Sequence, residues 1–370
     1  MKHFTQGALA ALLVCVARPS LAQPITAAEQ ARIDALVTRT LVETRVPSAS
    51  IALVRDGRIV LAKAYGRASP AIPQARADLP YQIASNSKQF TAMALLLLED
   101  EGKLSLDDKV SKWLPGISGG DRIALRQLLS HTAGLQDYWP QDYLITAMTV
   151  PVTPGGIVDR WARKPLDYVP GTRWQYSNTG YVVAGLIAEK AAGEPLMRYL
   201  QRRVFAPLGM DRAGWHLAGL PRRDIAMPYT WSGNKNAYVP TGQYGYPDYP
   251  DGALRTTAPQ LARHLEMVMG GGSWRGHRLL SRATVRELRR DQVPDLEPGQ
   301  GLIWFELRRP DRTIFGHDGG DTGVATVCFF DPEDDVGVVA LANGGWRSSR
   351  GDYPLYEIMD LLFAAAPMLG

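Results

Sequence analysis

Ser85-Asn86-Ser87-Lys88-Gln89-Phe90-Thr91-Ala92-Met93-Ala94-Leu95-Leu96-Leu97-Leu98 is the stretch on which the reading of this 370-residue chain turns. A serine and a lysine three residues apart on a helix project from one face and can touch. Behind them, Met93 to Leu98 is apolar on all sides, which predicts a helix buried in the middle of the protein. Gly102 can end that helix after Glu101. A neutral lysine amine could accept the serine proton and make a weak nucleophile competent. Two effects push Lys88 toward the neutral form: the positive end of the helix dipole and desolvation by the apolar helix. Backbone N–H groups at the helix start could also stabilise an oxyanion. The competing reading of Ser85 is a helix cap followed by a surface lysine. The chain holds its own decoy, Ser232-Gly233-Asn234-Lys235, at the same spacing but in a Gly/Asn turn with no helix to align the pair.

Upstream of this stretch, Ile33, Leu36, Val37, Leu41 and Val42 recur at helical spacing within residues 30–45. Ser50 to Val54 and Arg58 to Ala62 read as strands joined by Asp56-Gly57, a strong two-residue hairpin signal. Downstream, the middle of the chain reads as helix-rich, including residues 179–192 and 196–204, with loops at 151–156 and 233–252. Strand-like runs return at 302–307, 313–316, 325–330 and 336–342, and a helix over about 353–364 closes the chain. The acidic turn Asp331-Pro332-Glu333-Asp334-Asp335 joins the last two strands. Strands at both ends with helices between predict an α+β fold: one antiparallel sheet from both chain ends, flanked by helices, with an inserted helical subdomain. Residues 23–370 then form a single domain, its sheet part at about 25–82 and 300–370 and its helical and loop part at about 83–299.

The composition, 45% hydrophobic and 21% charged, is that of a globular chain able to bury a large core. Lys2 and His3 precede the apolar run Ala8 to Val16, and Ser20-Leu21-Ala22 supplies small residues at a cleavage spacing. Residues 1–22 therefore read as an export signal, with a periplasmic or secreted destination. No later stretch reaches about 18 uninterrupted apolar residues, so no stable membrane span is expected. Without Lys2 and Arg18, 39 basic side chains face 37 acidic ones, a balance that leaves no footprint for nucleic acid. The pairs Arg222–Arg223 and Arg289–Arg290 read as solvated faces. Beyond the signal only Cys328 remains, in an apolar run, as a buried thiol rather than a nucleophile.

Two further motifs bear on chemistry. Tyr176-Ser177-Asn178 is the single Y-x-N of the chain and falls between Pro170-Gly171 and a helix, where polar groups on a short connection can converge on a cleft. The bland alternative has Asn178 or Thr179 capping that helix. His317-Asp318-Gly319 is the single H-x-G, beginning beside the end of a strand, and Gly319 and Gly320 would let a substrate approach the backbone closely. His131, in Leu128-Leu129-Ser130-His131-Thr132-Ala133-Gly134, reads as structural, bonding the loop that follows. From Tyr229 to Asp251 a loop carries Tyr229, Trp231, Tyr238, Tyr244, Tyr246 and Tyr249, some of which could wall a cleft and bind an apolar acyl group. The histidines form no metal pattern and no nucleotide-binding glycine pattern occurs, so no cofactor is indicated.

In order, Ser85-x-x-Lys88, Tyr176-x-Asn178 and His317-x-Gly319 resemble the motifs of the penicillin-recognising serine hydrolases. The nearest branch looks like the class C β-lactamase-like group, which also contains DD-carboxypeptidases, D-aminopeptidases and esterases. QLLSHTAGL (127–135), PGTRWQYSNTGY (170–181), GALRTTAPQLARH (252–264) and GHDGGDTG (316–323) extend the likeness, which runs from about residue 30 to the C-terminus. The resemblance implies a β-lactamase/transpeptidase-like fold and an acyl-enzyme formed on Ser85. Lys88 would be its base or the partner of Tyr176, and Tyr176 would relay protons to the leaving group. Asn178 would bind the acyl chain, His317 would stand where many relatives carry lysine, and Ser85 and Gly320 would supply the oxyanion N–H groups. The familiar K-T-G is H-D-G here, which weakens attraction for a substrate carboxylate; Asp318 would repel one. The substrate implied is a small molecule or peptide bearing an amide, peptide or ester bond. A β-lactamase or DD-carboxypeptidase is the alternative within the family, and a non-catalytic binding module of the same fold the alternative outside enzymes.

Overall fold

The structure is a computed structural model that describes residues 25–139, 145–146, 154–215, 224–345 and 354–365. The export segment 1–22, the pair Arg222–Arg223 and residues 151–153 of the expected loop lie outside the described residues. Thr26 and Glu29 form a capping box that starts α1, Ala27–Thr44, and Arg45 ends it in a left-handed conformation. The chain then turns into β1, Ser48–Arg55, and β2, Arg58–Gly66. Asp56 and Gly57 both take positive φ, 48° and 66°, the geometry that a two-residue hairpin turn demands.

The other strands come from the far end of the chain. They are β3 (Phe305–Arg308), β4 (Thr313–Asp321), β5 (Val324–Asp331) and β6 (Val336–Ala342). Hydrogen bonding orders the sheet β3-β4-β5-β6-β1-β2, every neighbouring pair antiparallel. The two chain ends thus meet at the β1–β6 seam, where Ile51 faces Ala340 and Leu53 faces Val338. Strand β4 runs on past the expected Gly316, so His317-Asp318-Gly319 lies within the strand rather than beside its end.

Side chains alternate between two cores, as a pleated sheet covered on both faces requires. Ala49, Ile51 and Leu53 of β1 pack with Ile33 and Val37 of α1 and with Leu355, Ile358, Met359 and Leu362 of α5, Pro354–Ala365. Ala52 and Val54 face the opposite way. They join a larger core with α2, Lys88–Asp100, α3, Asn178–Ala192, and α4, Ala258–Met269. Every residue of α2 from Lys88 to Leu98 is buried, as the all-round apolar pattern predicts. The segment 233–252 is less of a plain loop than expected, since Ala237–Pro240 and Tyr244–Gly245 form short strands. Arg289 also departs from a solvated face: its guanidinium lies 5.6 and 5.4 Å from the rings of Phe315 and Phe330.

Leu95 sits in this larger core with no exposed surface. Leu95→Ala should lower the unfolding free energy by about 3 kcal/mol through lost transfer energy and a residual cavity. Urea denaturation checks this, and a change below about 1 kcal/mol would mean that α2 is not close-packed.

Candidate active site

At the head of α2 the backbone kinks. Ala84 holds φ at +49°, uncommon for a residue with a Cβ, and a single tight turn, Ala84–Ser87, leads into the helix. Ser87 pins that turn: its Oγ donates to Ala84 O at 2.6 Å and accepts from Leu254 N–H at 3.0 Å. The same turn leaves Ser85 half-buried at the surface of a cleft.

Lys88 is 1% exposed, and its Nζ donates to Ser85 Oγ (3.3 Å), Asn178 Oδ1 (2.9 Å) and Asp251 O (2.8 Å). Three acceptors match the three N–H bonds of an ammonium. Burial works against the charge, but coupling to Tyr176, Asp251 and Asp137 outweighs it and holds the amine above its ordinary value. The neutral lysine expected from the helix dipole and the apolar helix is thereby corrected. Two buried carboxyls lie behind Lys88, those of Asp248 and Asp251, bridged by the Tyr138 hydroxyl at 2.6 and 3.2 Å. Burial first, and for Asp251 the neighbouring Asp248, hold both carboxyls above the usual carboxylate range.

The Y-x-N segment reaches the same point from another direction. Ser177 caps α3 by accepting from Gly180 N–H at 3.0 Å. Asp137 accepts the N–H groups of Asn178 and Thr179, each at 2.9 Å. The capping role thus falls to Ser177 and Asp137 and leaves the Asn178 side chain to bridge Lys88 and Tyr138 O. The Tyr176 ring centroid lies 5.1 Å from Lys88 Nζ. Its Oη is buried, with Ser85 and Lys88 as its polar neighbours. Burial raises the phenol above its ordinary value against their opposing pull.

Strand β4 forms the facing wall. His317 is 2% exposed, opposite the buried Cys328 in strand register, with its ring centroid 6.1 Å from Tyr176 and 5.4 Å from Phe305. Its Nδ1–H donates to Asp318 O, since a carbonyl can only accept. Burial holds this imidazole down at about 4, so it is neutral near pH 7. The Asp318 carboxylate accepts from Tyr356 OH of α5 at 2.6 Å, which engages it with the helix on the opposite face of the sheet. Asp318 also lines the cleft. A Cβ on Gly319 would fall 2.5 Å from Thr326 Oγ1, 2.7 Å from Ile83 O and 3.0 Å from Ser85 N, so this wall presses directly on the backbone of Ser85. Gly320 lines the cleft beside it.

The cleft is a cavity of about 420 Å³ that holds Ser85, Lys88, Tyr176, Asn178, His317, Gly319 and Gly320 together. Its apolar walls are Trp139, Trp174, Phe305 and Tyr246. Of the aromatic residues expected from the loop 229–251, Tyr246 alone among the described residues lines the cavity, donating to Asp321 Oδ1 at 2.6 Å. Tyr244 and Tyr249 are buried with their hydroxyls on Thr322 O and Glu189, while Trp231 and Tyr238 pair in a separate ribbon. Trp139, Trp174 and Phe305 carried no local signal that set them apart from core aromatics. His131 is buried, and its bonds skip the loop that immediately follows to reach a segment 46 positions away. The second S-x-x-K is a surface turn: Lys235 N–H meets Ser232 Oγ at 3.4 Å and the lysine is exposed.

A Ser-Lys-Tyr cluster at the head of a buried helix, faced by a strand of an antiparallel sheet, defines the class as the β-lactamase/transpeptidase type. The sequence pattern of the Beta-lactamase family matches residues 33–360, and the chain belongs to that family. Among its relatives is Protein flp of Staphylococcus aureus (strain MW2), 26% identical over 342 residues that cover 86% of this chain and 64% of that protein. The chain thus spans less than two thirds of that relative's length. A putative D-alanyl-D-alanine carboxypeptidase of Escherichia coli (strain K12) is 26% identical over 355 residues, covering 82% of this chain and 79% of the relative. The D-amino acid amidase from Ochrobactrum anthropi SV3, complexed with L-phenylalanine amide, superposes with a TM-score of 0.80 at 24% identity. That match covers 92% of this chain and 98% of the amidase, and shows a shared fold.

Two expectations follow from the geometry. Because His317 is held down at about 4, its ring signals should stay constant from pH 8 to about 5 and move only below that. Proton NMR of the histidine rings tests this, and a midpoint near the ordinary value of about 6.5 would contradict it. Gly319→Ala should lower the acylation rate on the order of 10²-fold, because the wall must move away from Ser85 N. Labelling kinetics measure the loss, with thermal unfolding to show that the fold survives.

Proposed function

We propose that this protein is an exported serine hydrolase that cleaves an amide, peptide or ester bond through an acyl-enzyme on Ser85. The observation that carries the proposal is the 3.3 Å contact of Lys88 Nζ with Ser85 Oγ on an open cleft, with Tyr176 alongside. In the first half-reaction Ser85 Oγ bonds to the substrate carbonyl carbon and gives its proton to the Lys88–Tyr176 pair in its singly deprotonated form, the two groups titrating as one unit. The carbonyl oxygen gains negative charge opposite the N–H groups of Ser85 and Gly320. The bond to the leaving group then breaks, and the pair returns the proton to the departing amine or alcohol. In the second half-reaction water replaces the leaving group, gives its proton to the same pair and releases the acid, restoring Ser85. Asn178 holds Lys88 in register and His317 and Gly319 form the wall against which the acyl portion lies.

The charges around the cleft favour a substrate without a carboxylate beside the scissile bond. His317 is neutral, Lys88 is already engaged by three acceptors, and Glu297, Glu306 and Asp321 line the cavity. Lys88 is the one lysine or arginine among the described lining residues. An anionic group entering here meets no free cation. This argues for a peptidase, amidase or esterase over an efficient β-lactamase. It also argues against a carboxypeptidase of the kind that the Escherichia coli relative is named for, since that substrate ends in a carboxylate. The name of the amidase neighbour fits the preferred side of that choice. Export rests on the pattern of residues 1–22, a charged start, an apolar run and small residues at the cleavage spacing.

Ser85→Ala should abolish both turnover and covalent labelling by a fluorophosphonate while leaving the unfolding midpoint within a few degrees of wild type. A panel of short-chain nitrophenyl esters, D-amino-acid amides, D-Ala-D-Ala and a chromogenic cephalosporin, run on both proteins, reads the outcome. Activity retained in Ser85→Ala overturns the assignment. Ligand binding unaffected by the change, with no turnover in wild type, would mark a binding module.

A further inference from the structure

Ring stacking and two hydrogen bonds converge on Tyr176 from one residue to which the reaction above gives no role. His131 takes φ +59°, a left-handed conformation rarely held by a residue with a Cβ. That turn aims its carbonyl and its side chain at the same segment. His131 O accepts from Gln175 N–H at 2.9 Å, and His131 Nδ1 accepts from Ser177 N–H at 3.1 Å. Between these two anchors the imidazole stacks on the Tyr176 ring, centroids 4.3 Å apart and planes inclined by 28°. The residues before, at and after the middle of Gln175-Tyr176-Ser177 are thus each fixed by His131.

We propose that His131 is the positioning residue for Tyr176, gripping the phenol from both flanking peptide N–H groups and from its ring face, and that it can do so only as the neutral Nε2–H tautomer. The tautomer follows from the bond: a backbone N–H can only donate, so Nδ1 must present its lone pair and the ring proton sits on Nε2. A proton added at Nδ1 would set two donors head to head and open the grip. The surroundings oppose that proton. His131 is 1% exposed, and the charged or titratable groups facing it are Lys88 from α2, His317 from β4, Tyr176 itself, Tyr181 from α3 and Tyr168, whose OH donates to His131 O at 3.4 Å. Burial first, then the positive charge of Lys88, hold the imidazole well below its ordinary value. The strained backbone at His131 fits a residue whose geometry is held for the site rather than for the fold.

The inference rests on the proposed role of Tyr176, and a double-mutant cycle separates the two. Acylation of Ser85 by a fluorophosphonate is measured in wild type, His131→Asn, Tyr176→Phe and the double variant. Asn is chosen because it tolerates positive φ and keeps an oxygen near the position of Nδ1. His131→Asn should retain the wild-type unfolding midpoint within a few degrees and lower the maximal acylation rate by about tenfold or more, with half-saturation changed less than twofold. In the Tyr176→Phe background the same change should cost nothing further. Wild-type acylation in His131→Asn, or losses that multiply in the double variant, would overturn the grip and leave the hydrolase reading standing. If Tyr176→Phe acylates at the wild-type rate, the role of Tyr176 falls and the grip falls with it. Should His131→Asn fail to fold, ¹⁵N spectra of the histidine rings in wild type decide the matter: an unprotonated Nδ1 at neutral pH is expected, and a protonated one refutes the proposal.

Discussion

A buried ammonium must be surrounded by acceptors or it destabilises the fold by several kcal/mol, and Lys88 is such a group. Its acceptors come from three places: one turn upstream at Ser85, the start of α3 at Asn178, and the backbone at Asp251. Satisfying that one charge therefore fixes where three segments of the chain meet. Neighbouring bonds support the arrangement, among them Thr91 Oγ1 donating to Pro250 O at 2.6 Å and Trp215 Nε1 donating to Gly252 O at 2.9 Å. The cleft is what remains open where these segments do not touch.

The sheet enters through a second set of ties. Gln82 Nε2 donates to Asp321 Oδ2, Asn86 Nδ2 to Thr326 Oγ1, and Thr326 Oγ1 to Ile83 O, all within 3.0 Å. These bonds clamp the turn that carries Ser85 onto strands β4 and β5. They explain why a glycine is required at 319, where the backbone of one element lies against that of another. They also bring His317 to the cleft, with Asp318 lining it next to the ring. The departure from K-T-G to H-D-G thus puts a neutral ring at the wall, beside an aspartate that accepts from Tyr356 OH.

Much of this was legible in the chain. The apolar run of α2, the Asp56-Gly57 hairpin and the return to strands after residue 300 each follow from periodicity or turn chemistry that acts over a few residues. The three short motifs in order supplied Ser85, Lys88, Tyr176 and His317, and the structure brings all four to one cavity. The length of β4 was underestimated because Gly316, Gly319 and Gly320 read as the end of a strand. Here they are the places where a strand passes close to its neighbours. The Tyr-rich segment looked like a cleft wall from composition, yet most of its hydroxyls are tied to partners inside the protein.

The amino-acid order by itself determined the elements, the Ser85–Lys88 pair and the family, since these depend on spacing within single turns of chain. The charge on Lys88 was decided only in three dimensions. Tyr176, Asp251 and Asp137, distant from it in sequence, reach it through packing and reverse the balance that the local helix would set. The same holds for the grip of His131 on the Tyr176 segment and for the neutral state of His317. Coulomb forces and hydrogen bonds act between neighbours in space, and no local pattern records which distant residues the fold will make neighbours.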